Sequence, residues 1–202
     1  MSPEDYDAVR LMIDGGALVP IETMRLPKSG WGMVYCGDGE VTPRTINEHY
    51  RMLAQANGRE VCMHLIPWDG GPAGIPAHSP FHTIEYQGDV VRARTFVFAR
   101  ILGALRLKAG KLRHMGFIPH CTCGMCRATS VSIWQNFRMT IEGKDETRQE
   151  FNGHITHYKV FPRLDFTGYP EVERRDNPFL NFMLVRPRFE PLWERLTSRI
   201  PG

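Results

Sequence analysis

Two short stretches hold the side chains best suited to chemistry: Cys36-Gly37-Asp38-Gly39-Glu40 and His120-Cys121-Thr122-Cys123-Gly124-Met125-Cys126. Cys36, His120 and Cys123 supply two thiolates and an imidazole. Such a zinc set leaves the fourth tetrahedral position to water or a carboxylate, as catalytic sites do. Asp38, two residues beyond Cys36, is the obvious carboxylate. The local alternative is a closed, structural zinc knuckle of Cys121, Cys123 and Cys126 with His120 or His114. Cys62 lies inside an apolar run and reads as a plain buried thiol. Five cysteines, three of them within residues 121–126, suit a metal or reactive thiols better than a disulfide framework.

The elements that must position these residues follow from hydropathy and punctuation. Met33, Val34 and Tyr35 form a short apolar strand that delivers Cys36. The GDGE turn then leads through Thr42 and Pro43 into a helix over Arg44–Asn57, closed by Gly58. Val61–Pro67 is a second strand, and WDGGPAGIP after it reads as a loop near the pocket without regular structure. Within Val90–Lys108 the spacing predicts a helix from about Thr95. Met115–Pro119 is a third strand, ending at His120. Strand, loop and helix in repetition give an α/β fold with a mainly parallel sheet and crossover helices. In such sheets ligands gather at the carboxyl ends of strands, which is where Cys36 and His120 with Cys123 would converge. His154–Phe161 suits an edge strand late in the chain. From Asn177 onward Phe179, Phe182, Leu184, Phe189, Leu192, Trp193 and Leu196, broken by Pro187 and Pro191, predict a helical C-terminal tail. The expected organisation is an N-terminal arm (1–30), a zinc-binding domain (31–170) and a tail (171–202) covering core or interface. That apolar tail predicts a homodimer or higher oligomer.

Composition narrows the partners. The net charge of +3 comes from 25 basic and 22 acidic residues scattered along the chain, so nucleic acid is not the expected partner. The acidic N-terminus does not resemble a secretory leader, and no apolar run reaches the length of a membrane span. The expected location is cytoplasmic.

The two motifs in this order, each after a strand, resemble the β-class carbonic anhydrases, whose signature is Cys-x-Asp-x-Arg followed later by His-x-x-Cys-Gly. The resemblance covers roughly residues 31–165 and extends to the late GHITHYKV segment. It implies a Zn2+ cofactor held by Cys36, His120 and Cys123, with zinc-bound hydroxide hydrating carbon dioxide to bicarbonate, and Asp38 orienting that hydroxide. Carbonyl sulfide or carbon disulfide are the alternative small substrates. One of His64, His78, His82 or His114 would move the released proton. Glu40 stands where the family has an arginine that holds the aspartate off the metal. Asp38 is therefore a possible fourth zinc ligand unless Arg44, about one helical turn further on, takes over the pairing. A non-catalytic, anion-binding relative and a zinc-stabilised interaction module are the readings from other classes.

Overall fold

The computed structural model describes residues 10, 11, 13–16, 18–20, 30–37, 63–107, 112–119, 123–161 and 183–185. The expected helix over Arg44–Asn57 and the residues Asp38, Glu40, Arg44, Cys62, His120 and Cys121 lie outside them. Eight strands and three α-helices have their bounds among the described residues, and Arg10, Leu11, Ile13 and Asp14 are also helical. The bounded elements are β1 (Leu18–Pro20), β2 (Gly30–Cys36), β3 (Met63–Trp68), β4 (Thr83–Tyr86), β5 (Asp89–Arg92), α1 (Ala93–Leu107), β6 (Leu112–Ile118), α2 (Gly124–Ala128), α3 (Ile133–Glu150), β7 (His157–Val160) and β8 (Met183–Val185).

The body is an α/β arrangement around a four-stranded sheet of order β3-β2-β6-β7. All of its pairings are parallel. Taken in chain order, the second strand stands outside the first, and the third and fourth add on the other side. The connections therefore leave in opposite directions from β2 and β6, and in open α/β sheets ligands bind beyond the carboxyl ends of strands at such a switch point. The middle strands explain why the sheet is central. From Trp31 to Cys36 every residue of β2 is buried, and so is every residue of β6 except Arg113. These are the continuous apolar runs of a parallel sheet covered on both faces. The crossover from β3 to β6 contains α1, and that from β6 to β7 contains α3. The core joins Val34, Ile66, Val97, Ile101, Phe117, Phe137 and Val160.

Several expectations need correction. The stretch after Trp68 is not devoid of regular structure. A 3-10 turn spans Gly71–Gly74, and β4 and β5 form an antiparallel hairpin. Its two central residues, Gln87 and Gly88, both take positive φ, 53° and 85°, which matches the right-handed twist of the flanking strands. Val90 and Val91 belong to that hairpin, so α1 starts at Ala93, two residues before the expected Thr95. The helix α3 had no counterpart in the sequence reading. It is announced by a capping box in which the Ser132 side chain accepts from the Gln135 backbone and the Gln135 side chain accepts from the Ser132 backbone. The expectation of a helical tail fails for its described part. Met183–Val185 is extended and pairs antiparallel with Leu18–Pro20, because a short apolar triplet meets a partner strand there. Leu18, in the expected N-terminal arm, is itself part of the main core. The edge strand expected late in the chain is β7, shortened to start at His157.

Candidate metal centre

Cys36 is the last residue of β2, and Cys123 immediately precedes α2, in the connection that leaves β6. The two are 87 residues apart in sequence, yet their sulfurs stand 3.7 Å apart in a buried setting. Cys36 is 5 % exposed, Cys123 1 % and Cys126 8 %. None of the three is in a disulfide. They pack in one buried apolar cluster with Ala73, Phe81 and Met139.

The local sequence explains how Cys36 comes to be enclosed. Gly37 continues the pairing of β2 with β3 by donating its N–H to the Trp68 carbonyl at 3.0 Å. The loop leaving β3 then folds back over Cys36. Gly71 has φ +64°, and a Cβ there would lie 2.9 Å from the Cys36 backbone nitrogen, so only glycine allows this approach. The Trp68 indole N–H donates to the Phe81 carbonyl at 2.8 Å and ties the loop to the strand from which it departs. The DGGPAG segment is thus part of the wall of the thiol site, as its reading as a loop near the pocket anticipates. Asp69, at the start of the loop, brings a carboxylate oxygen to 3.0 Å from where a Gly37 Cβ would stand. It is an acidic neighbour of the Cys36 turn that the sequence reading passed over.

Helix α3 closes the pocket from another side. Asn136 donates its side-chain N–H to the Cys126 sulfur at 2.8 Å. The neighbouring Cys123 thiol, followed by burial, pushes the Cys126 thiol well above the usual thiol range, while Asn136 pulls the other way. Nothing in the sequence singled out Asn136, which is 2 % exposed.

The four histidines considered as proton carriers separate by position. His64 is in the first half of β3 and His114 in the first half of β6, so both lie toward the amino ends of the strands, away from the thiols. His78 and His82 lie in the segment after β3 whose Phe81 lines the thiol pocket. His78 pairs with Glu142 at 3.1 Å, and His82 Nδ1 is 2.9 Å from the Ser79 carbonyl.

The donor set fits zinc in one measurable respect. Two thiolates at about 2.3 Å from a tetrahedral zinc stand about 3.8 Å from each other, close to the 3.7 Å between Cys36 and Cys123. Among the described residues no group of three or more His, Cys, Asp or Glu side chains is arranged to hold a metal. His120, the expected third ligand, is not one of them. No helix among the described residues is long and apolar enough to cross a membrane. Comparison of the chain with models of known families, with curated proteins and with solved structures finds no match.

Proposed function

We propose that this chain is a zinc enzyme of the carbonic anhydrase type, hydrating carbon dioxide or an isoelectronic small electrophile. Cys36, His120 and Cys123 would hold the metal. The observation that carries the reading is the convergence of Cys36 and Cys123 on one point, at a sulfur separation suited to a shared tetrahedral ion. The parallel sheet, with its switch point between β2 and β6, is compatible with the fold implied by the motifs.

When bound, zinc supplies Lewis acidity that brings the pKa of water to about 7. The remaining work belongs to the chain. Ala73, Phe81 and Met139 keep bulk water from the sulfurs. Asp38 would accept a hydrogen bond at the open position and orient the attacking oxygen. His78 or His82 would carry the released proton outward, because both follow β3 on the thiol side. Glu40, in place of a cation, leaves Asp38 without its usual restraint. In this reading Asp38 competes for the open position, and hydration is weak below about pH 8 unless Arg44 restrains it. A homodimer or higher oligomer and a cytoplasmic setting remain part of the proposal.

The test is metal content with stopped-flow carbon dioxide hydration on the full chain. One zinc per chain is expected, and Cys36→Ser should lose both metal and activity while Cys121→Ser keeps the metal. The local knuckle is the second reading, favoured by the packing of Cys126 with Cys123 in one buried cluster. Full zinc in Cys36→Ser, with loss in Cys121→Ser and Cys126→Ser, would establish it instead.

A further inference from the structure

Three thiols meet in one buried cluster, and two of them are set against each other by separate parts of the fold. Cys36 is held at the end of β2 by the Gly37 N–H bond to the Trp68 carbonyl and by the Gly71 backbone folded over it. Cys123 is held at the start of α2, where its carbonyl accepts the Arg127 N–H at 3.1 Å. Their sulfurs stand 3.7 Å apart, about 1.7 Å beyond the length of a disulfide bond. A turn of about 30° at each χ1 carries a sulfur about 0.9 Å, enough to close that gap within ordinary rotamer tolerance. The third thiol is engaged on another side, since the Cys126 sulfur accepts the Asn136 side-chain N–H from α3 at 2.8 Å.

We infer that Cys36 and Cys123 form an oxidation site: hydrogen peroxide joins them in a disulfide, and that disulfide excludes the metal. The disulfide stands on the two sulfurs alone, whereas its effect on the metal rests on the zinc reading above. In the first step one sulfur attacks a peroxide oxygen, the O–O bond breaks, and a sulfenic acid and one water result. The second sulfur then attacks the first, the S–O bond breaks, and a second water leaves. The thiols lose two electrons and two protons, and one peroxide becomes two waters. Sulfurs joined in this way are no longer thiolates, the form that binds a metal. Burial keeps a protein oxidant from the pair, but a site that admits carbon dioxide also admits hydrogen peroxide, which is of similar size. A small dithiol reverses the bond by exchange.

The experiment treats the full chain, zinc-loaded and after chelation, with hydrogen peroxide. It reads thiol content, linkage by peptide mass mapping, and migration on a non-reducing denaturing gel. The chelated chain should lose two thiols and migrate faster, because a bond between residues 87 apart closes a large loop in the unfolded chain. Dithiothreitol should restore both. The zinc-loaded chain should release one zinc for each disulfide formed. Cys36→Ser and Cys123→Ser should each lack the faster species, and Cys126→Ser should keep it. If a serine variant fails to fold, the linkage mapped in the wild type decides the matter. A bond mapped from Cys123 to Cys126, whose loop is too short to alter migration, would overturn the inference. So would loss of thiols with no bond between Cys36 and Cys123. A chain that forms this bond but takes up no zinc overturns the zinc reading and the exclusion of metal, and leaves the oxidation site standing. A zinc-binding chain in which peroxide forms no such bond overturns this inference alone.

Discussion

The two ends of the parallel sheet hold thiols at one and imidazoles at the other, and they are built on opposite principles. At the carboxyl ends, soft sulfur donors are crowded together by a glycine loop and fed by polar side chains from α3. At the amino ends, β2 and β6 place Trp31 opposite His114, and β7 adds His157. The Trp31 and His114 rings lie 5.1 Å apart, and Trp31 meets Phe161 edge-on at 5.6 Å. The His114 and His157 Nδ1 atoms are 2.9 Å apart. Burial, then His157 and Arg113, push His114 down to about 4. One end gathers groups that gain from a cation; the other keeps an imidazole neutral by burial and by the positive charge of its neighbours. The difference separates what holds the fold from what serves the proposed chemistry, and it can be tested from either end.

The largest effect is expected at the amino end. Trp31 is fully buried, and Trp31→Ala should cost about 3–5 kcal/mol in denaturant unfolding. The difference between the ends would dissolve if that loss were matched by Gly37→Ala. Acid should come next. Because the folded pKa of His114 lies below its unfolded value of 6.5, the unfolded chain binds the extra proton between those pH values. Stability is therefore full above about pH 6.5 and falls as the pH drops toward 4, by on the order of 3 kcal/mol. His114→Phe should flatten that slope in pH-dependent denaturation, and an unchanged slope would place the acid sensitivity elsewhere.

A smaller effect is expected at the carboxyl end. Gly71→Ala places a Cβ against the Cys36 backbone at positive φ and should cost about 1–3 kcal/mol. It should also weaken metal binding, which Trp31 variants that still fold should not; equal metal affinity in Gly71→Ala and wild type would show that the loop does not set the position of Cys36. Smallest is Ser132→Ala, which removes the cap of α3 and should lower stability by about 1 kcal/mol, read as a shift in thermal midpoint. A shift no larger than that of an exposed control such as Gln149→Ala would mean that packing alone fixes the start of the helix.

What was legible in the sequence tracks what is local. Cys36 could be placed because an apolar run delivers it to a strand end, and Cys123 because it follows such a run after one short loop. Asn136 could not, because a polar residue within a helix looks alike whether it meets solvent or a sulfur. The capping box at Ser132 and Gln135 was a readable start signal for α3 that hydrophobic periodicity did not reveal. Gln87-Gly88 was a weaker hairpin signal, masked by the prolines and glycines around it. The strand at Met183–Val185 is three residues long, and its state is set by the segment it pairs with rather than by its own composition.

The antiparallel pairing of Leu18–Pro20 with Met183–Val185 bears on how the chain is made. Synthesis proceeds from the amino terminus, and domains begin to fold as they emerge. The parallel strands can assemble once β7 has left the ribosome, but β1 must wait for β8. Leu18 belongs to the core, so a nascent chain stalled after Val160 would carry a core residue on a strand without its described partner. Closing so long a loop slows the last step more than it weakens the product, since loop entropy grows only by about 0.6 kcal/mol per doubling of length. Protection of Leu18 from exchange should therefore appear late, after that of Val34 and Phe117.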